Sequence, residues 1–429
     1  MSEDVSHYDI YKNYSILYKE NGSKEKFFEG KQDDETAKIY QCIYNKLDEG
    51  YLDELYNSIG PDDLNNNISD QDIELIQSVV SSISSEKGRA LSGLFLLQLV
   101  VKSIAPNQSI RLHKGSKRNG SFSWTKGISM RTLDSKFITP FLRKNQLLSI
   151  NKDGLFMTRS FAENYPYSEF YKAEIRGNKM DWLMLVERVE NQLIDAKTAL
   201  IYLISALKNR SDTFIRLADE TVEFAKTFSK SHKGSEIYDL IVSFFNNTTY
   251  SARAFEISMH SFMQAMESNG FLEGGLVPLS QMRSANKKHG NIGDIEVKYG
   301  EFIIESWDAK YGKPYLREEL EELFEKLRFH PNVKIAGFVC DSKVDLREDI
   351  VKRMIEISDD TGVNIFIIDF KEWVFRNLEP FNLELQEKIY ADWLIALAET
   401  LAQKRRDIAP IDEPSDEWLN DLKTSFILE

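Results

Sequence analysis

Apolar residues recur at three- and four-residue spacing through much of the first 270 residues, the pattern of helices that bury one face. The spacing predicts helices within residues 35–57 and 70–105, and Pro106 ends the second because proline cannot continue a helix. Similar patterns predict helices over 181–228 and 235–268. The N-terminal part of the chain is therefore expected to be mainly helical.

A helical pattern followed by a hairpin pattern occupies residues 135–159. The helical spacing runs from about Ser135 to Leu148, and two short apolar runs then flank Asp153-Gly154. An Asp-Gly pair between such runs is typical of a β-hairpin. Helices followed by a hairpin of this kind resemble a winged helix, in which a helix enters a DNA groove and the hairpin forms the wing. The alternative is a small helical domain with a hairpin attached.

The hydrophobic periodicity changes after residue 276, where short β-rich runs alternate with amphipathic helices. That alternation is typical of an α/β domain. The predicted strands are Ile292–Tyr299, Phe302–Lys310, Val333–Cys340 and Val363–Phe370. The predicted helices are 316–329, 346–359 and about 383–405, and an acidic tail is expected to follow the last of them.

The composition excludes several classes of protein. Cys42 and Cys340 are the only cysteines, too few for a disulfide framework or a cysteine-rich zinc module. We expect no signal peptide, because the N-terminus has no basic segment followed by an apolar run. The longest apolar stretch, residues 91–104, is shorter than the roughly 20 residues of a membrane-spanning helix. A cytoplasmic protein of about three domains, at roughly 150 residues each, is therefore expected.

Charge is distributed unevenly along the 429 residues. The formal net charge of −14 speaks against a nucleic-acid binder, because phosphate contacts need lysine and arginine. Residues 1–80 carry a net charge of −11, whereas residues 107–149 carry +8, with Asp134 as their sole acid. Aromatic residues and glycines interleave with these basic residues, which suits a surface that neutralises phosphates. The alternative is a solvated loop whose charges pair with the acidic N-terminal region.

The basic segment supplies most of the candidate DNA-binding residues. In the winged-helix interpretation, some of them lie on the helix that enters the groove. The candidates are Arg111, Lys114, Lys117, Arg118, Trp124, Lys126, Arg131, Lys136, Arg143 and Lys144.

Acidic and basic side chains stand at the ends of two β-rich runs that are joined through Gly300. Asp294 opens the first run, and Asp308-Ala309-Lys310 closes the second. Side chains two apart on a strand share a face, so Asp308 and Lys310 point the same way. Charges on so apolar a strand are costly unless they are paired or liganded. If Asp294 lies across from them, two carboxylates could hold Mg²⁺ while the lysine orients or deprotonates a water for attack on phosphorus.

This arrangement resembles the PD-(D/E)xK motif of type II restriction endonucleases. Gly293 stands where the motif's name has proline, a position that these enzymes often vary. The following helix and the alternating strands match the αβββαβ core of that fold over about residues 246–375. The resemblance implies a divalent-metal nuclease domain in the C-terminal half of the chain.

The resemblance also implies roles for individual residues. Asp294, Asp308 and the carbonyl of Ala309 would bind Mg²⁺, and Lys310 would be the catalytic lysine. In this family a glutamate from the preceding helix sometimes completes the metal site, and Glu256 is the candidate here. The alternative for Glu256 is a solvated helix face.

The turn between the two runs decides whether this site can form. A strict two-residue turn at Gly300-Glu301 would place Asp294 opposite Trp307 and leave Asp308 on the other face. The site therefore requires either a three-residue turn or a β-bulge.

A second acid-x-lysine, Glu296-Val297-Lys298, competes with the assignment. It lacks a suitable upstream aspartate, although Glu296 shares a face with Asp294 in a regular strand and could add to the site.

A basic segment without apolar periodicity precedes the motif, at residues 281–291. Arginine usually contacts guanine and asparagine contacts adenine, so a loop beside a nuclease site could contact phosphates or base edges. The alternative is an ordinary surface loop. Its candidate DNA-binding residues are Arg283, Asn286, Lys287 and Lys288.

These patterns predict an α+β or α/β multidomain protein. Changes in charge and in hydrophobic periodicity divide the chain into five expected segments. They are an acidic helical region at 1–80, a winged-helix-like DNA-reading domain at 81–170, a helical connector at 171–245, the nuclease domain at 246–375, and a C-terminal helix and acidic tail at 376–429.

The expected function is sequence-specific, Mg²⁺-dependent cleavage of double-stranded DNA that leaves a 5′-phosphate and a 3′-hydroxyl. Cutting two strands implies a homodimer or two sequential nicks, and the resemblance implies a DNA methyltransferase of matching specificity in the same system. Two alternatives stay open: a repair or junction-resolving nuclease of the same fold, and a winged-helix regulator whose nuclease domain is inactive.

Overall fold

The computed structural model describes residues 6–60, 68–84, 86–114, 123–157, 159–280, 291–312, 316–406 and 413–428. The chain is a mixed α and β protein that divides into two compact units, with the boundary after Thr213. Across those ranges no helix has both the length and the apolar character needed to cross a membrane.

Unit 1 begins with a three-stranded antiparallel sheet that the sequence did not predict. Its strands are β1 (His7–Ile10), β2 (Tyr14–Tyr18) and β3 (Lys24–Phe28), in that order. Leu17 and Phe27 are buried on one face of this sheet, against Leu112 and Trp124. Strands of four or five residues give an alternation too short to stand out in an otherwise helical pattern.

The rest of unit 1 is helical, as predicted. Gly50, at a φ of 100°, ends one helix and starts the next, so the span predicted as helical at 35–57 holds two helices. The span predicted at 70–105 also holds two, with a break between Ser81 and Arg89. A π-helical turn, Asp134–Ile138, links two short helices. The helices are α1 (Asp34–Asp48), α2 (Tyr51–Ser58), α3 (Asp70–Ser81), α4 (Arg89–Ile104), α5 (Met130–Leu133), α6 (Thr139–Lys144), α7 (Lys179–Glu190) and α8 (Ala196–Ser231), the last of which runs past the unit boundary.

The predicted hairpin around Asp153-Gly154 is wrong. Residues Leu155–Met157 and Arg159–Phe161 form short 3-10 helices instead of a strand. The carboxylate of Asp134 explains the difference, because it accepts hydrogen bonds from the backbone N–H of Leu155 at 2.7 Å and of Phe156 at 3.4 Å. The segment after the turn is thereby tied to the preceding helix. The wing of the winged-helix interpretation is absent from the described part of this segment.

Unit 2 contains a five-stranded mixed sheet in the order β4-β5-β6-β7-β8. The first three strands run antiparallel, and β6, β7 and β8 run parallel. The four strands predicted in this region are confirmed to within three residues. The strands are β4 (Gly275–Leu276), β5 (Ile295–Tyr299), β6 (Phe302–Lys310), β7 (Ile335–Cys340) and β8 (Asn364–Asp369).

Helices cover both faces of this sheet. On one face Ile303 and Phe338 pack with Leu320 in one apolar cluster, and on the other Trp307 packs with Trp373 in a second. The predicted acidic tail is a helix whose Trp418 is fully buried. The helices of unit 2, besides the end of α8, are α9 (Gly234–Asn247), α10 (Ser251–Ser268), α11 (Leu316–Leu327), α12 (Glu348–Thr361), α13 (Phe370–Leu378), α14 (Leu383–Leu401) and α15 (Ser415–Leu428).

Candidate active site

A bulge in the β5–β6 hairpin brings Asp294 level with Asp308. Beside the turn the two strands keep the register that a two-residue turn dictates. Further along, the register shifts by one residue, and Ile295 lies opposite Trp307. Asp294, one residue before Ile295, is therefore level with Asp308 on the same face of the sheet. The prediction that the hairpin must contain a bulge or a longer turn is confirmed, in its bulged form.

The carboxylate of Asp294 is crowded by other acids. Its Oδ2 accepts a hydrogen bond of 3.0 Å from the backbone N–H of Ala309, on the neighbouring strand. Burial raises the pKa of Asp294 well above its usual range, and the nearby charges of Asp308 and Glu256 raise it further. The two carboxylates repel each other when both are charged, and a proton on Asp294 relieves that repulsion. A cation in that position would relieve the same repulsion.

Lys310 is held between two carboxylates. Its Nζ lies 2.8 Å from Oδ2 of Asp308 and 2.7 Å from Oε2 of Glu319. Burial lowers the pKa of Lys310, but these two ion pairs outweigh it, and the net shift is upward. The lysine is therefore an ammonium ion at neutral pH.

Glu319 is not among the site residues that the sequence predicts. This residue lies on α11, within a run of acids of which several face solvent, and no spacing in the sequence relates it to the motif. Its place beside Lys310 follows from the packing of α11 against the sheet face that carries Asp308. Only the three-dimensional arrangement reveals this contact.

Glu256 lies near the two aspartates but is engaged elsewhere. Its carboxylate forms an ion pair with Arg253 on the preceding turn of α10, and Arg253 also pairs with Glu413. Burial raises the pKa of Glu256 although Arg253 opposes the shift, and the charge of Asp308 contributes to the rise. The structure therefore brings Glu256 within electrostatic reach of the site, with its charge balanced by Arg253.

Glu296 supports the backbone that leads into the site. Its buried carboxylate accepts hydrogen bonds from the N–H of Ile292 at 2.6 Å and of Gly293 at 3.4 Å. These contacts engage the acid of the competing motif Glu296-Val297-Lys298 with the backbone just before β5, and the motif lacks a suitable upstream aspartate. Glu296 is a positioning residue for Asp294.

The donor chemistry of this site suits a hard divalent cation. Asp294 and Asp308 offer carboxylate oxygens, and Ala309 offers a backbone carbonyl on the same strand. The hydroxyl of Ser306 is buried, has no hydrogen-bond partner among the residues that the structure describes, and lines a small cavity beside Asp308 and Glu319. Within the described ranges, no three histidine, cysteine or acidic side chains are grouped to hold a metal ion. A cation here would thus depend on two carboxylates and a carbonyl.

Two of the candidate DNA-binding residues are core residues, and these two predictions are wrong. Arg111 has no exposed area; its guanidinium donates to the carbonyl of Tyr167 at 2.8 Å and pairs with Glu187. Trp124 is 1% exposed and packs edge-on against Phe27 of β3. A side chain without exposed area makes no contact with DNA, and both residues instead hold unit 1 together.

Acids of the N-terminal helices neutralise part of the remaining basic segment. Lys136 pairs with Asp48 at 3.0 Å, and Lys144 pairs with Asp53 at 3.0 Å. The alternative that this segment's charges pair with the acidic N-terminal region is therefore correct for these two lysines.

Other candidates keep exposed charges or lie outside the described residues. Arg143 is exposed, although it donates to the carbonyl of Ile150 at 2.6 Å, and Lys114 bonds to Gln32 at 2.9 Å. Lys126 and Arg131 are also exposed. The candidates outside the described residues are Lys117, Arg118, Arg283, Asn286, Lys287 and Lys288.

No model of a protein family matches this chain, and a comparison with curated proteins gives no significant match.

Proposed function

We propose that this chain is a Mg²⁺-dependent DNA endonuclease similar to type II restriction enzymes. The observation that carries the proposal is the bulged register that places Asp294 beside Asp308, with Lys310 on the same face. The chain order α10, β4, β5, β6, α11, β7 supports it, because this is the αβββαβ order of the PD-(D/E)xK core. The nuclease domain would lie within unit 2.

The carboxylates of Asp294 and Asp308, together with the carbonyl of Ala309, would hold Mg²⁺. When bound, the ion would stabilise the negative charge that develops on the scissile phosphate. The raised pKa of Asp294 supports this role, because two carboxylates that repel each other gain from a shared cation.

Lys310 would orient the attacking water. As an ammonium ion it is a hydrogen-bond donor, so it would position a water oxygen or a phosphate oxygen rather than remove a proton. Asp308 and Glu319 fix the direction of its side chain from two sides. The proton of the water would leave to solvent or to a phosphate oxygen.

The substrate would be double-stranded DNA, cut to a 5′-phosphate and a 3′-hydroxyl. Exposed Lys126, Arg131 and Arg143 remain candidates for contacts to the phosphates. A homodimer would cut both strands, and a methyltransferase of matching specificity would protect the cell's own DNA. A regulator with an inactive nuclease domain is less well supported, because the described part of residues 147–161 forms no wing and the two aspartates and the lysine are intact.

Plasmid cleavage tests the proposal. We expect the wild-type protein to yield discrete fragments with Mg²⁺ and none with EDTA. Asp308→Ala should abolish cutting while DNA binding in Ca²⁺ persists, and Asp345→Ala, at an exposed position of the same unit, should cut normally. Failure of the wild type to cut any DNA with Mg²⁺ would refute the nuclease function. Ragged degradation without discrete fragments would instead support a repair-type nuclease of the same fold.

A further inference from the structure

The outer face of the β1–β3 sheet carries aromatic and basic side chains in register. Because residues alternate between faces, the strand that buries Ser15 and Leu17 turns Tyr14, Ile16 and Tyr18 outward. The strand register aligns three rows across this outer face: His7 with Tyr18 and Lys24, Asp9 with Ile16 and Lys26, and Tyr14 with Phe28. We call this set of residues, together with Tyr11 in the β1–β2 turn, the outer sheet face.

One end of the outer sheet face is a row of three rings. The rings of Tyr11 and Tyr14 are stacked with centroids 4.7 Å apart, and Tyr14 and Phe28 follow at 6.2 Å. Phe28 is 50% exposed and Tyr11 is 42% exposed, so each presents ring surface to solvent. Exposed rings at this density are unusual on a solvated face and are typical of a binding surface.

Lysines lie directly on this aromatic surface. Nζ of Lys26 is 3.7 Å from the ring centre of Tyr14 and 4.7 Å from that of Phe28, and Nζ of Lys24 is 4.8 Å from that of Tyr18. Neither lysine forms an ion pair with a carboxylate in the parts of the chain that the structure describes.

The contrast with the basic segment of residues 107–149 is informative. There, Lys136 and Lys144 are neutralised by aspartates of α1 and α2. On the outer sheet face, Asp9 is the one acid in the three aligned rows, and its carboxylate lies 3.4 Å from the hydroxyl of Tyr11. The positive charge of Lys24 and Lys26 therefore remains available to an anionic partner.

We propose that the outer sheet face binds an unpaired nucleic-acid strand, with bases stacked on Tyr11 and Phe28 and phosphates held by Lys24 and Lys26. Aromatic rings interleaved with cations are how proteins hold single strands without sequence preference. Bases can stack on a protein ring only when their faces are not covered by neighbouring base pairs, so this surface suits an unpaired strand rather than a duplex. The inference lies in unit 1 and does not depend on the nuclease function proposed for unit 2.

Equilibrium binding to an oligonucleotide tests this inference. The intact protein in EDTA is titrated into a fluorescent oligothymidylate of about 20 nucleotides, longer than the site of one such surface. Fluorescence anisotropy gives the Kd, and a duplex of the same length is measured in parallel. We expect binding of the single strand and weaker binding of the duplex.

Two variants separate the charges from the rings. Lys24→Gln/Lys26→Gln should raise the Kd for the single strand about tenfold at low salt and reduce the slope of log Kd against log salt by about 1.4, since each lost phosphate contact on a single strand contributes about 0.7. Tyr11→Ala/Phe28→Ala should raise the Kd about tenfold and leave that slope unchanged. Both pairs of side chains are on the surface, so the thermal midpoint of the protein should stay near that of wild type.

The control removes two exposed lysines elsewhere, in Lys46→Gln/Lys226→Gln, and should leave the Kd unchanged. Three results would each overturn the inference: no binding of the oligothymidylate by wild type, an unchanged Kd in both outer-face variants, or a duplex bound as tightly as the single strand. Cleavage assays play no part in this test, so a failed nuclease proposal and a failed binding proposal are distinguishable.

Discussion

Replacing Asp294 by asparagine should make the protein more stable while abolishing its proposed activity. Asp294 lies among acids, and both its burial and the charge of Asp308 raise its pKa. Asparagine has the same shape, keeps an oxygen that can accept from the N–H of Ala309, and gains an amide that can donate to Asp308. The substitution therefore removes a repelled charge without removing a hydrogen bond.

The size of the gain follows from the surroundings of the pair. Two like charges in contact near a protein surface repel by up to about 4 kcal/mol. Lys310, at 2.8 Å from Asp308, already offsets part of that repulsion. Asp294 also keeps partial access to water, which screens its charge further. We therefore expect Asp294→Asn to increase the free energy of unfolding by about 1–2 kcal/mol in metal-free buffer, the range of a substitution that relieves a strained site.

The gain should depend on pH with a definite sign. Because the folded-state pKa of Asp294 lies above its unfolded-state value of about 4, the folded protein holds the proton more tightly. The contribution of Asp294 to the free energy of unfolding of the wild type is therefore fully present below pH 4 and is lost as pH rises through the folded-state pKa. The advantage of Asp294→Asn should accordingly be small at acid pH and largest at alkaline pH.

Urea denaturation followed by tryptophan fluorescence measures this effect, since four of the six tryptophans lie in unit 2. Wild type, Asp294→Asn and the exposed control Asp345→Asn are compared in EDTA at two pH values. Added Mg²⁺ at ten times its Kd should stabilise wild type by about 1.4 kcal/mol and Asp294→Asn by less. An Asp294→Asn protein no more stable than wild type in EDTA at alkaline pH would refute the argument that these carboxylates repel each other.

Two further predictions concern residues whose roles only the structure reveals. Glu319→Gln removes one of the two carboxylates that raise the pKa of Lys310, so the alkaline limb of the pH–rate profile of DNA cleavage should move to lower pH. The side chain of Glu322 is 56% exposed, and Glu322→Gln should leave that profile unchanged. Arg111→Leu removes the ion pair with Glu187, which keeps Lys19 as a partner, and leaves the carbonyl of Tyr167 without its donor. It should lower the free energy of unfolding by about 1–3 kcal/mol in urea titrations; equal stability would contradict the structural role of Arg111.

Local sequence patterns predicted the sheet of unit 2 because its strands are apolar, at least five residues long apart from β4, and separated by amphipathic helices. The alternation of side chains along the hairpin allowed a more detailed prediction. A two-residue turn and a shared face for Asp294 and Asp308 are incompatible unless the register shifts, and the shift is present. The requirement that Asp294, Asp308 and Lys310 share one face thus predicted a β-bulge that residue propensities for strand or turn do not indicate.

The basic segment of unit 1 shows why other predictions failed. Net charge along a sequence does not reveal which side chains a fold buries, and Arg111 is buried because Glu187, far along the chain, neutralises it. Asp134, the sole acid of that segment, binds the backbone of Leu155 and Phe156 and thereby replaces the predicted hairpin with 3-10 turns. Both outcomes depend on contacts between distant residues, which periodicity and composition do not encode.

Glycine at position 293, where the PD-(D/E)xK pattern would have proline, has a physical reason in the bulged hairpin. A Cβ at position 293 would lie 2.7 Å from the backbone oxygen of Trp307 and 2.8 Å from the hydroxyl of Ser306, so no larger side chain fits without a shift of the strand. Proline would also remove the N–H that Gly293 directs at the carboxylate of Glu296. The close approach that excludes a side chain here is the same approach that brings Asp294 level with Asp308. Glycine at position 293 is therefore a consequence of how the two aspartates are brought together.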